Sequence, residues 1–280
     1  MEVRITTLSE NAATPVPRGI LGEWGLSVLL EVDGLSILLD TGQSVSVVNN
    51  GDILGIEWPK IDKIVLSHGH YDHTGGLHHL LGRLKRQVDI IAHPRVWDAK
   101  YGHSPINNYT AYIGIPYRQD ELESLGAVFR LTRQPTWLSD NVVTSGEIPM
   151  STEYETLDPV LYVKENDQLC PDPLEDDQAL FVKTDQGLVV ILGCAHRGMI
   201  NTLRHAQQVT GVEPIFAVVG GTHLARASEL QFEVTVAELR AFGVQRFGIS
   251  HCTGMLAATR LSAEFGESIF FNNAGTTITL

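Results

Sequence analysis

Three imidazoles and a carboxylate fall within six residues of this chain, His68-Gly69-His70-Tyr71-Asp72-His73. Neutral imidazole nitrogen and carboxylate oxygen suit zinc, iron or manganese, and the stretch itself offers no thiolate. This is enough donor material to begin two metal sites. The stretch ends an apolar run, residues 61–67. If that run is a strand, residues two apart point the same way, so His68 and His70 aim at one point. Asp72 and His73 then sit where Thr74-Gly75-Gly76 turns the chain into a helix, within reach of a second point. The bland alternative is a solvated histidine-rich loop. It requires this spacing to arise by chance from 11 histidines in 280 residues, and the metal reading is preferred.

The elements that must hold this cluster are legible as strand and helix signals. Residues 26–32 and 35–40 are apolar runs joined at Asp33-Gly34, a strong hairpin signal, and Asp40-Thr41-Gly42 closes the second. Helices are expected over 45–54 and 75–86, with a short buried strand over 89–92 ending at His93-Pro94. The middle, 95–173, is less periodic. It carries Trp97, Tyr101, Tyr109, Tyr112, Tyr117, Trp137 and Tyr154, and it is read as an inserted lid or substrate-binding segment within a single domain, 1–280. The last third returns to alternation: strands over 179–184 and 188–192, a helix over 201–209, a strand over 215–219, helices over 229–242 and 255–265 around a strand over 247–250, and a terminal hairpin over 269–280. Strand pairs plus helices in both halves predict an α/β fold of two sheets packed face to face with helices outside.

Three later histidines stand just after expected strands: His196 in Gly193-Cys194-Ala195-His196, His223 in Gly220-Gly221-Thr222-His223, and His251 in Ser250-His251-Cys252. In layered α/β sheets, ligands collect at the carboxyl ends of strands, so these share the address of His68 and His70. Glycines ahead of His196 and His223 let the backbone approach a ligand closely.

With these residues in view the chain resembles the metallo-β-lactamase superfamily. The resemblance rests on His68, His70, Asp72 and His73 after a strand, with Gly75-Gly76 opening a helix. It extends over nearly the whole chain through Gly25-Leu26-Ser27, Asp40-Thr41-Gly42, Ser145-Gly146-Glu147-Ile148-Pro149, Gly221-Thr222-His223-Leu224 and His251-Cys252-Thr253-Gly254. These segments are similar to a branch that contains an archaeal synthase joining a dihydropterin to ribofuranosylaminobenzene 5′-phosphate. The resemblance implies an αβ/βα sandwich of two mixed β-sheets flanked by helices, with a dinuclear site. It gives His68 and His70 to the first metal, and Asp72, His73 and His251 to the second. The commoner pattern has a Gly-Asp pair after residues 188–192, whose carboxylate bridges the metals, and a further histidine upstream. Here Cys194 follows Gly193, and Asp176-Asp177 stands at the upstream position. His196 is accordingly assigned to the first metal, and the bridge is left to water or Asp177.

Composition limits the partners. A net charge of −13 without Lys/Arg clusters argues against a nucleic-acid surface, while a small anionic substrate stays compatible because the field near bound metals outweighs the net charge. The longest apolar runs are too short to span a bilayer, and the first residues lack signal-peptide character. Cys170, Cys194 and Cys252 are odd in number and widely spaced, which argues against a disulfide framework or a thiolate zinc site. The cytoplasm is the expected compartment. Trp24 and Trp58 are candidates for a homodimer contact.

The expectation is a hydrolase with two divalent ions, zinc first and manganese or iron next, acting on a small phosphorylated or ester-like molecule. A metal lowers the pKa of bound water to about 7 and polarises a substrate oxygen. Asp72 would also orient the attacking water, and His223, outside the six ligands, would donate a proton or contact an oxyanion. Arg118, Arg130 and Arg133 are candidates for holding an anionic group. The rivals are a methanopterin-type synthase or transferase using a pterin substrate, an iron-dependent oxidoreductase, and a metal-containing binding or sensor protein.

Overall fold

The computed structural model describes residues 1–280. Two seven-stranded sheets carry the fold. The first runs Thr277–Thr279, Val3–Ser9, Ser27–Val32, Leu35–Leu39, Lys63–Val65, Val88–Ala92, Ala127–Leu131 from edge to edge. The second runs Ile269–Phe271, Arg246–Ser250, Ile215–Gly221, Gly187–Leu192, Ala179–Thr184, Val142–Thr144, Thr136–Trp137. Each is mixed: antiparallel hairpins give way to parallel strands joined through helices.

Strand alternation sorts the core into three layers. Leu188, Val190 and Leu192 pack outward with Met199, Leu203 and Phe232 of the helices, while Val189 and Ile191 face the other way. There they meet Val28, Leu30, Ile37 and Leu39 of the first sheet. Leu38, Ile64 and Leu66 face outward against Leu77, Leu80 and Leu81. A strand buried on both faces reads as an unbroken apolar run, which is how 187–192 reads. Each large side chain fully buried there contributes roughly 1.5–3 kcal/mol.

Local chemistry explains most boundaries. Asp33 (φ 50°) and Gly34 (φ 78°) form the two-residue turn that pairs Val32 with Leu35. The helix expected over 75–86 is Leu77–Leu84, and a separate short helix, Tyr71–Thr74, precedes it. Gly75 and Gly76 lie between them because the loop at 41–43 presses against both: a Cβ at either would sit 2.0 Å from a carbonyl oxygen, of Gln43 or Thr41.

Three expectations are corrected. The last residues are not a hairpin: Ile269–Phe271 runs parallel to Arg246–Ser250 in one sheet, and Thr277–Thr279 crosses to pair with Val3–Ser9 in the other. The 95–173 segment is divided among three sheets. Ala127–Leu131 completes the first main sheet and Val142–Thr144 with Thr136–Trp137 the second, and only 100–112 and 161–171 build a separate four-stranded sheet, Gln168–Pro171, Leu161–Glu165, Lys100–Ser104, Tyr109–Tyr112. That small sheet packs beside His68-Gly69-His70. Lys100, fully buried, pairs with Asp172 (2.8 Å) and Asp176 (2.9 Å), and Asp176 accepts from the Gly69 amide at 2.8 Å. Trp137 lies instead on a main-sheet edge strand, over the Lys183 ammonium. Trp58 is buried and donates to Asp52, so it is core rather than a dimer contact. No helix is long and apolar enough to cross a membrane.

Candidate metal centre

Five strand ends deliver the site: the one after Lys63–Val65 carries His68 to His73, and each of the other four leaves its sheet through a left-handed residue that is not glycine. Asp40 (φ 60°) follows Leu35–Leu39, Ala195 (φ 54°) follows Gly187–Leu192, His223 (φ 51°) follows Ile215–Gly221, and His251 (φ 53°) follows Arg246–Ser250. Such backbone costs of order 1–3 kcal/mol per residue and persists only where the surroundings over-determine it. All four turns point side chains into one buried space.

Two nitrogen clusters meet in that space. His68 Nε2 lies 2.9 Å from His70 Nδ1 and 3.2 Å from His196 Nε2. His73 Nε2 lies 3.2 Å from His251 Nε2, and Asp72 Oδ2 is 3.4 Å from that same His251 nitrogen. The six residues His68, His70, Asp72, His73, His196 and His251 are therefore brought together and are all buried. The two clusters adjoin, with the His68 and His73 rings 4.2 Å apart.

Outer partners set the tautomers. Ser67 Oγ donates to Asp40 Oδ2 at 2.6 Å, so it accepts from His68 Nδ1 at 2.9 Å. His73 Nδ1 donates to Asp40 Oδ2 at 2.7 Å, and His251 Nδ1 to Asn11 Oδ1 at 3.0 Å. Each ring thus spends its Nδ1 proton outward and turns Nε2 inward, the arrangement that orients a ligating histidine. His70 Nε2 and His196 Nδ1 remain buried without partners. Clustered lone pairs with orphaned ring nitrogens behind them fit a bound cation.

The electrostatics agree. Burial, and then the neighbouring imidazoles, hold His68 well below the ordinary histidine range. Burial, then His223 and His70, does the same to His196, and burial takes His70 down to about 3. At the second cluster burial opposes charge on His73, yet the carboxylates of Asp40 and Asp72 outweigh it and hold that ring up at about 9. The first cluster is a neutral donor set, and the second carries a field that favours a cation.

The cysteine spacing argues against a thiolate site, yet the fold places Cys194 among the possible donors. Its buried Sγ lies 3.2 Å from His73 Nε2 and belongs to three groups of donors, each within 4.8 Å: with His68 and His196, with His73 and His251, and with His223 and Cys252. Asp177 is in none of these groups. Its Oδ2 accepts from the Arg197 amide at 2.9 Å, and burial pushes its carboxyl up to about 7.

His223 sits beside the first cluster, its ring 4.3 Å from that of His196 and its Nε2 3.4 Å from Asp158 Oδ2. Burial opposes its charge, but Asp158 and Cys252 outweigh it and push it up to about 10. A cavity of about 200 Å³ opens here, lined by His196, His223, Asp158, Thr222 and Arg226. A second, of about 300 Å³, opens on the His251 side between Trp24, Met255 and Phe271. Arg118, Arg130 and Arg133 line neither cavity; they pair with Asp120, with Asp89, and with Glu147 and Glu175. Arg226 is the cation at the first cavity; the sequence reading assigns a site role to neither Arg226 nor Asp40, and it argues against Cys194 as a donor. The signal for Asp40 was present, an acidic residue at a strand's carboxyl end before Thr41-Gly42. Arg226 gave none.

Residues 25–149 match the metallo-beta-lactamase superfamily. Over 281 aligned residues the chain is 31% identical to the 7,8-dihydropterin-6-methyl-4-(beta-D-ribofuranosyl)-aminobenzene-5′-phosphate synthase of Methanocaldococcus jannaschii, covering 98% of this chain and 95% of that one. A second, uncharacterized protein of that organism is 30% identical over 240 residues, covering 85% of this chain and 87% of its own. Among solved structures, Tm1679, described as a metal-dependent hydrolase of the beta-lactamase superfamily, superimposes with a TM-score of 0.84 at 30% identity, covering 99% and 98% of the two chains. The fold and these matches define the class: the chain belongs to the metallo-β-lactamase superfamily. The similar proteins include a synthase and a metal-dependent hydrolase.

Proposed function

We propose that this chain is a metal-dependent hydrolase holding two divalent ions, zinc first, and acting on a small phosphorylated or ester-like molecule. The observation that carries the reading is the pair of adjoining donor clusters, His68/His70/His196 and Asp72/His73/His251, set beside a cavity that offers His223 and Arg226. Bound ions would polarise a substrate oxygen and acidify water.

The remaining roles fall to the chain. Arg226 is placed to receive an anionic group of the substrate. His223, its Nε2 held by Asp158, is the proton donor to a leaving oxygen, and Asp72 orients the attacking water. The cytoplasm remains the proposed compartment, with a small anion rather than a nucleic acid as partner.

A second reading, a synthase joining a dihydropterin to ribofuranosylaminobenzene 5′-phosphate, is favoured by the 31% identity over nearly the full chain. The apolar cavity at Trp24 would then receive a flat ring. One experiment separates the two: metal-loaded protein is assayed against phosphodiester, phosphomonoester and ester panels, and against the dihydropterin pyrophosphate plus ribofuranosylaminobenzene 5′-phosphate pair. Hydrolysis without condensation supports the first reading, and condensation replaces it with the second. Elemental analysis of protein purified without chelator tests the metals themselves.

A further inference from the structure

We propose that Cys194 is a thiolate ligand shared by the two metal positions, standing where the commoner superfamily pattern has a bridging aspartate. The inference rests on reading the cluster as a two-metal site. Cys194 Sγ is the donor atom common to the His68/His196 and His73/His251 groups, within 4.8 Å of every member of both. Neither Asp72 nor Asp177 belongs to either group, and Asp177 Oδ2 is taken by the Arg197 amide.

The backbone enforces the placement. Gly193 runs so close to Ser67 that a Cβ there would lie 2.2 Å from its Oγ, so only glycine lets the strand end press against the His68 loop. The left-handed Ala195 then reverses the chain, which turns Cys194 inward and allows His196 to reach the same space from the far side of the turn.

Cys252, the other buried thiol, has other contacts. Its Sγ accepts from the His223 amide at 3.3 Å and donates to the Cys194 carbonyl at 3.4 Å. It buttresses the Cys194 segment and belongs to neither two-histidine group. A thiol must lose its proton to ligate, and a coordinating divalent ion removes it outright. The chemical consequence is metal choice: a soft thiolate among imidazoles favours zinc or iron over manganese and magnesium.

The test is titration of metal-depleted protein with cobalt(II), followed through the near-ultraviolet thiolate-to-cobalt charge-transfer band. The band is expected to grow through both the first and the second equivalent, to vanish in Cys194→Ser and Cys194→Asp, and to persist in Cys252→Ser. The aspartate variant is expected to retain two cobalt ions, which separates loss of the thiolate from loss of the fold. Two bound cobalt ions without the band, a band that saturates at one equivalent, or a band lost only in Cys252→Ser overturns the shared thiolate and leaves the metal reading standing. Failure to bind cobalt at all overturns both.

Discussion

His73 and Asp40 lie thirty-three residues apart in the chain and 2.7 Å apart in the fold, Nδ1 donating to Oδ2. The same carboxylate receives the Ser67 amide at 2.7 Å and the Ser67 hydroxyl at 2.6 Å, and Ser67 in turn fixes His68. One buried aspartate therefore orients a donor in each cluster. Outer partners of this kind govern how tightly the inner donors hold a metal.

Asp40→Asn keeps an acceptor for the Ser67 amide but removes the charge facing His73 and Ser67 Oγ. Affinity for zinc, measured by competition with a chromogenic chelator, is expected to fall about 10–100-fold. Unchanged affinity would show that His73 is oriented by its backbone alone.

Removing the metal is expected to lower thermal stability. Ions that bind the folded chain at 100 times their dissociation constant contribute about 2.7 kcal/mol. Calorimetry before and after dialysis against a chelator, with zinc added back, reads this directly. A melting temperature indifferent to zinc would contradict binding at the buried cluster.

For His223, the variant His223→Gln is expected to reduce turnover by roughly 10²–10⁴ while bound metal stays constant. The companion measurement is metal content, because loss of an ion in this variant would move His223 from proton donor to ligand and vacate the role given to His196.

Lys100 links the small sheet to the metal loop through Asp172 and Asp176, with all three side chains buried. Lys100→Met leaves two carboxylates without their cation and is expected to destabilise the fold by about 3–5 kcal/mol in denaturant titration. Adding Asp172→Asn and Asp176→Asn should recover much of that loss. A single variant as stable as the parent would mean that the ammonium carries no net stabilisation.

The sequence by itself determined the metal motif, the sandwich and the four histidine-bearing strand ends. These are short-range matters: alternation places His68 with His70, the Asp33-Gly34 turn forces its hairpin, and doubly buried strands need unbroken apolar runs. His251 was legible for the same reason, standing directly after the strand Arg246–Ser250. Tertiary structure alone decided what lies between the donors. Cysteine spacing argued against a thiolate site because it counts partners along the chain, whereas Cys194 finds His73 across 121 residues. Trp137 and Arg133 looked like parts of one lid because they share a segment with Tyr109, but that segment feeds three sheets, and each strand goes where its hydrogen-bond partners are. For isolated side chains such as Cys194 and Arg226, whether they meet the donor cluster, a carboxylate or solvent is settled by non-local packing, and nothing in their immediate neighbours encodes it.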